Sequence, residues 1–318
     1  MSEFLYPSYI LSEDRKALMR ELTNRQYKAL IKCIATDDTE ILETFIDNLL
    51  SDLLYDDPIS VHNLTNIDKL YMLMCVRSYC IGPTIIYTFN VDAPDDLSGE
   101  ARHEKKKAKV EIPLSMNEVL NRLGNYPIEH KFSFSENGLT VNGTLPKKFY
   151  YTDVVDVAVD TLSNITFEDK FIDLSDMPVQ HRREVFYTLP SSILPLIMKF
   201  LENQSESIKN DPLIVFDSKG IELPHGDKID LHMYNGTIGE IIKLLFNTEL
   251  KELYTTEYTL MRRFKFTFDA IENSTPAELT VYYEVIQRDL EREKKEREEQ
   301  EGSKGNQMME APKNLPPG

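Results

Sequence analysis

The sequence contains no tryptophan and only three cysteines, Cys33, Cys75 and Cys80, among 318 residues. So few thiols, odd in number and each set inside an apolar periodic run, exclude a disulfide framework and point to a reducing compartment. Positive charge is also scarce: 36 lysines and arginines stand against 53 aspartates and glutamates, for a formal charge of -17. A surface of that sign repels phosphate backbones and anionic headgroups, which argues against a nucleic-acid partner. Charges interrupt every apolar stretch well before the roughly 20 residues that a bilayer crossing needs, so no membrane span is expected. The opening "MSEFLYPSYILSEDRK" lacks a basic start followed by an apolar run, so no signal peptide is expected.

Catalytic signatures are missing as well. There is no G-x-S-x-G, no glycine-rich phosphate loop, no H-E-x-x-H and no D-x-D-x-D-G. The histidines, at 62, 103, 130, 181, 225 and 232, are scattered and mostly sit beside turn or surface residues, which reads as solvation. "HEKKK" at 103 to 107 is one short basic run without interleaved aromatics and reads as a solvated loop. No residue is expected to be catalytic, to bind a cofactor or to ligate a metal.

What remains is an ordinary globular composition, 41% apolar and 28% charged, long enough for one or two units with a sizeable core. Four helix starts follow the capping-box pattern: Thr23 with Gln26, Asp37 with Glu40, Thr237 with Glu240, and Thr275 with Glu278. After Thr23, the residues Tyr27, Leu30, Ile31 and Ile34 mark one buried stripe. Ile41, Leu42, Phe45, Ile46, Leu49, Leu50 and Leu53 mark a second, and the short link between the two predicts an antiparallel helical hairpin ended by Asp56-Asp57-Pro58. A third helix begins near Thr65 and stops at Gly82-Pro83.

From residue 84 the period changes. "TIIYTFNV" and "KAKVEIPL" are strand-like runs joined by the polar segment "DAPDDLSGEARHEKKK", and "HKFSFSENGLTVNGTL" alternates about Asn137-Gly138. Helical spacing returns from about Asp153, with Pro195 tolerable in a first turn. A hairpin is expected in "LIVFDSKGIELPHGDKIDLHMY", with Gly220 at its turn. Two helices then carry Ile238, Ile241, Ile242 and Leu245, and Tyr254, Tyr258, Met261, Phe264 and Phe268; the aromatic stripe reads as core or as a partner surface. A last helix has apolar residues as far as Leu290 and continues in the charged run "EREKKEREEQE". The expectation is an α+β fold, mainly α-helical: a helical region at 1–83, a β-rich insert at 84–150, a mainly helical region at 151–301 with a hairpin near 213–234, and a flexible tail at 302–318.

"KLYMLMCVRSYCIGP", residues 69 to 83, sets two cysteines and an arginine into an apolar helix. Five residues of α-helix place the two sulfurs roughly 140° apart, so they cannot grip one ion together and read as core. Arg77 lies on the apolar side, and an unpaired buried guanidinium is prohibitive, so a carboxylate or carbonyl partner is required. It serves either as a structural ion pair or snorkelling stem, or as an anchor for a partner subunit.

The segments "ELTNRQYKALIKCIATDDTEILETFIDNLLSDLL" and "LTNIDKLYMLMCVRSYCIGPTI" together resemble the family of T-even-type phage baseplate hub and hub-assembly proteins. The shared features fall on Leu22, Thr23, Arg25, Gln26, Tyr27 and Lys28; on Ile46, Asp47, Asn48 and Leu49; and on Asp68, Lys69, Leu70, Tyr71, Leu73, Arg77, Ser78, Ile81 and Gly82. Relatives often carry a cysteine-rich, zinc-ribbon-like hairpin at the β insert. Residues 84–150 here contain no cysteine, so that metal role does not transfer.

The resemblance implies a non-enzymatic part in building the central hub of a contractile-tail baseplate, in the host cytoplasm during assembly and in the virion tail if retained. It implies other hub or tail proteins as partners, the tape measure protein among them, and makes Arg25, Tyr27, Asp68, Tyr71 and Arg77 the candidates for structural or partner contacts. Two alternatives stand beside it. An acidic surface and a charged C-terminal helix suit an assembly chaperone that leaves the hub. A cell-wall hydrolase could draw an acid/base pair from the 53 carboxylates, since such a pair is defined by separation in space.

Overall fold

A computed structural model of the chain describes residues 4–92, 107–168, 170–217 and 226–307. It opens with strands β1 (Leu5–Ile10) and β2 (Arg15–Arg20), paired antiparallel with Tyr6 opposite Met19 and Ser8 opposite Ala17. The N-terminal region is therefore not purely helical. Alternation is the physical reason: Tyr6, Ser8 and Ile10 from β1 and Ala17 and Met19 from β2 all turn to the buried side.

Helices α1 (Asn24–Ala35), α2 (Thr39–Leu53) and α3 (Asn66–Val76) follow, and α1 and α2 pack as the expected hairpin. Thr23 and Gln26 form the expected capping box. The cap of α2 is one residue later than expected, because Asp37 takes a left-handed φ of 56° in the tight link and Asp38 receives the amides of Glu40 and Ile41. α3 is capped by a box between Thr65 and Asp68, then widens into a π-turn at Arg77–Ile81 that closes at Gly82.

The segment from residue 84 is only partly β. Strands β3 (Thr84–Asp92) and β4 (Lys107–Ser115) pair in register, Thr84 opposite Ser115, and lead into helix α4 (Met116–Gly124), which buries Met116, Val119 and Leu123. The polar linker at 93–106, with all of "HEKKK" but Lys107, lies outside the described residues. Strands β5 (Lys131–Glu136) and β6 (Leu139–Thr144) form a hairpin, but the sheet does not stop at residue 150. After helix α5 (Val154–Thr161), strands β7 (Leu162–Phe167) and β8 (Lys170–Asp173) complete an antiparallel sheet of order β5-β6-β7-β8. Val141 sits opposite Ile165 on its core face, and Ile165 opposite Ile172.

Helices α6 (Val179–Thr188) and α7 (Ile193–Ser207) meet at 113°. Together they are apolar enough to pass as a broken membrane span, yet Ile193, Ile197 and Leu201 are core residues here. Among the described residues no single helix is long and apolar enough to cross a membrane. Strands β9 (Ile214–Val215) and β10 (Lys228–Ile229) pair as the second hairpin, and the turn expected at Gly220 lies outside the described residues.

Helices α8 (Thr237–Leu245), α9 (Leu250–Phe264), α10 (Phe268–Asn273) and α11 (Pro276–Gln307) end the chain. The expected box at Thr237 is absent: Gly236 at φ 89° occupies the cap, and the Thr237 hydroxyl donates to Asn235 Oδ1 instead. Thr275 and Glu278 do form theirs. α11 continues through Gln307, so the expected tail begins as helix, and its remainder at 308–318 lies outside the described residues. One large core spans residues 6 to 246; a satellite of Leu260, Ile271, Leu279 and Ile286 knits α9, α10 and α11 together. Helices outweigh strands throughout, an α+β fold that is mainly helical.

Candidate functional site

The five candidate residues do not converge on one site. Each points to a different neighbour, and three of them, Arg25, Tyr27 and Arg77, fasten the first quarter of the chain to the last.

α1 does most of this. Asn24, Arg25 and Lys28 share one side of the helix, facing α9 and α10. Asn24 Nδ2 donates to Glu257 Oε1 at 2.6 Å, and Arg25 Nε to Glu272 Oε2 at 3.1 Å. Lys28 Nζ sits 2.8 Å from Glu257 Oε1 and bonds Glu272 as well. Lys28, Glu257 and Glu272 are all buried. Such a charge cluster is tolerable only because each member has a partner. Burial alone would raise the Glu272 carboxyl, but the hydrogen bonds from Lys28 and Arg25 outweigh it and hold the group below its ordinary range. Burial likewise pulls Lys28 down, and the two glutamates reverse it. One turn along, Tyr27 shares a hydrogen bond with Thr248 Oγ1 at 2.7 Å.

The aromatic stripe of α9 divides: Met261 and Phe264 pack against the satellite core, and its two tyrosines face outward. Tyr254 is 45% exposed and Tyr258 54%, while Glu257 and Leu260 take the buried side. Tyr254 and Phe268 lie against the Lys28 ammonium at 5.6 and 5.5 Å, and Tyr254 also faces Lys32 at 5.7 Å, so these rings lid the charge cluster.

On α3, Asp68 is fully buried. Its Oδ2 accepts from the Thr65 amide and hydroxyl at 3.1 and 2.6 Å, and its Oδ1 from the Ser12 amide at 2.9 Å, which fixes the turn between β1 and β2. Lys69 Nζ reaches Asp47 of α2 at 2.6 Å and donates to the Lys147 carbonyl at 3.1 Å, joining two of the segments that carry the resemblance. Tyr71 packs against Gly124 of α4, where an added Cβ would lie 3.5 Å from its ring.

Arg77 finds carbonyls, not a carboxylate. Its Nε donates to Leu245 O at 3.0 Å and its Nη1 to Gly82 O at 2.6 Å, tying α3 to the end of α8. Burial without a counter-charge lowers its pKa. Cys75 and Cys80 are buried apart from one another in function: the Leu22 amide donates to Cys80 Sγ at 3.2 Å, and burial pushes the Cys75 thiol up to about 11. Among the described residues no group of three or more metal-ligating side chains is placed to hold an ion.

Sequence reading missed Glu257 and Glu272, the acids that receive α1. The available signal was an acid three residues after Tyr254, inside an aromatic stripe that would otherwise read as core. Asp47 and Lys69 stood in the quoted segments, but nothing local pairs them.

A concavity of about 630 Å³ lies between the sheet face and the β1–β2 turn and is lined by polar groups such as Ser12, Asn63, Lys131, Asn142 and Asn164. The chain belongs to the family described as T4 bacteriophage base plate protein, whose model matches residues 3–210, and it is a phage baseplate protein. The match covers the segments on which the resemblance rests and extends through the four-stranded sheet to α7. Neither a curated relative nor a solved structure matches the chain.

Proposed function

We propose that the chain is a non-enzymatic building or assembly component of the central hub of a contractile-tail baseplate, acting through contacts with other hub or tail proteins, the tape measure protein among them. The observation that supports this reading is the disposition of Arg25, Tyr27, Asp68, Tyr71 and Arg77, which reach Glu272, Thr248, Thr65 with Ser12, Gly124, and Leu245 with Gly82. Residues of an active site turn toward a common substrate space. These turn away from one another and build a stiff body.

A second reading, an assembly chaperone that leaves before maturation, is favoured by the far half of α11. There the exposed pairs Arg292 with Glu296 and Arg297 with Glu293 are satisfied within the helix, leaving a charged rod beyond the satellite core. A nonsense mutation in the gene tests the common core of both readings. Infection should yield cells without complete baseplates, and normal baseplates would reject a hub role. Peptidoglycan clearing by the purified chain tests the hydrolase reading: no clearing is expected, and clearing above a heat-killed control would favour it.

A further inference from the structure

The concavity of about 630 Å³ between the four-stranded sheet and the β1–β2 turn holds a cation without a counter-ion. Lys147 lines it and is only 6% exposed. Its backbone is engaged: the amide donates to Asp160 Oδ2 at 2.7 Å, and the carbonyl accepts from Lys69 Nζ at 3.1 Å. Its ammonium has neither a hydrogen bond nor an ion pair to any described residue, and it keeps contact with solvent. Burial lowers the Lys147 pKa, and Asp160 and Asp176 act on it from beyond ion-pair reach without reversing the effect. The group has given up most of its water and gained no acceptor from the fold in return.

Neutral donors surround it. Ser133 stands opposite Asn142 and Asn142 opposite Asn164, so these three side chains share the outer face of the sheet. Asn142 Nδ2 donates to Asn164 Oδ1 at 2.8 Å, which leaves the Asn164 amide nitrogen unspent. Lys131, opposite Thr144 on the same face, brings a second ammonium to the lining. Among the described residues the lining contains one acid, Glu13, and its carboxylate already accepts from Arg15 Nε at 2.5 Å. Asp173 ends the polar row opposite Asn164 and accepts the Ser175 amide at 2.9 Å.

We propose that this recess binds the phosphate group of a small soluble molecule, with Lys147 as the anchoring cation, Lys131 as the second, and Ser133 and Asn164 as neutral donors. Two lysines against one acid that is already paired make the recess locally positive on a chain of formal charge -17. No arginine lines it among the described residues. A planar carboxylate is matched by the fork of a guanidinium, whereas lysines and single-point donors gather around a tetrahedral oxyanion. The overall charge also selects the carrier. A nucleic-acid backbone or an anionic bilayer meets repulsion over its whole length, and a small solute presents one such group.

The test titrates the full chain with inorganic phosphate at constant ionic strength, chloride making up the balance, and follows heat and the backbone amide resonances of the sheet. Phosphate should bind saturably and shift the amides of Ser133, Asn142 and Asn164, and acetate should bind roughly tenfold more weakly. Lys147→Met should fold at least as stably as the parent, because it removes an unpaired buried cation, and should lose roughly tenfold or more in phosphate affinity. Non-saturating shifts, equal affinity for acetate, or unchanged affinity in Lys147→Met would overturn the proposal. Should that variant fail to fold, Asn142→Asp sets a fixed negative charge on the floor, where Asn164 can turn its amide to donate to it. Phosphate binding should weaken by a similar factor, and unchanged binding would count against the site. Glycerol phosphate should compete with inorganic phosphate, while vesicles of phosphatidylglycerol in phosphatidylcholine and single-stranded DNA should not. Displacement by the vesicles or the DNA would overturn the small-molecule carrier.

Discussion

Lys28 of α1 and Glu272 of α10 form a buried ion pair across 244 positions of sequence, and Glu257 shares the same ammonium. The pair places the segment that carries the family resemblance against the last third of the chain, beyond the matched residues. Removing Lys28 leaves two buried carboxylates without their shared ammonium, Glu272 with Arg25 alone and Glu257 with the neutral Asn24 amide. Lys28→Met should therefore destabilise the chain by about 3–5 kcal/mol. Adding Glu257→Gln and Glu272→Gln to it should recover part of the loss. Urea denaturation checks both, and a triple variant no better than Lys28→Met would contradict the assignment.

Arg77→Met removes two donors, one from the Leu245 carbonyl and one from that of Gly82. The expected cost is about 1.5–3 kcal/mol, the range for hydrogen bonds from charged groups, because loss of the bonds is offset by relief of guanidinium burial. Arg77→Lys reaches one carbonyl at most and should fall between. Unchanged stability in Arg77→Met would show that the arginine is held for something other than this contact.

The origin of these contacts separates what is legible in sequence from what is not. The stripes of α1, α2 and α3 and the caps at Thr23 and Thr275 depend on neighbours three or four residues away, so periodicity reveals the elements. Arg77 and Leu245 are 168 residues apart, and no local pattern distinguishes a carbonyl partner from a carboxylate one. The hairpin of β1 and β2 hides in a six-residue alternation that includes a proline and a buried serine. Tyr254 and Tyr258 keep helical spacing on an exposed face because cation contacts with Lys28, Lys32 and Arg262 hold them there. Their spacing alone reads as core or as a partner surface, and only the fold shows them exposed. The family resemblance, by contrast, is carried by contiguous segments and agrees with the family match.

Alkaline pH should weaken the fold through Cys75. Burial raises its thiol from 9.0 to about 11, so the unfolded chain ionises first and the native state holds the extra proton. A raised folded pKa gives stability that is complete below pH 9 and is lost as pH rises toward 11, by about 1.4 kcal/mol at pH 10. Lys147, whose pKa burial depresses, acts in the opposite direction over the alkaline range below 10.5. Comparing Cys75→Ala with the parent isolates the thiol: the parent should lose more stability between pH 8 and 10, and parallel curves would refute the assignment.

Gly143 in β6 has no room for a side chain. A Cβ there would stand 2.2 Å from the Phe132 ring and 2.5 Å from the Thr161 carbonyl, and the backbone carbonyl cannot swing aside as a side-chain tip could. Gly143→Ala should cost about 1–3 kcal/mol by overpacking. Thermal unfolding checks it, and an unshifted midpoint would mean that the sheet relaxes at the register shift beside this residue.

Whether the body described here is built into the particle decides the account. Quantitative mass spectrometry of purified tails and isolated baseplates should find peptides of this chain at a fixed ratio to the other hub proteins. Their absence from mature tails, with the chain abundant in infected cells, would contradict a structural place in the hub and leave the assembly chaperone.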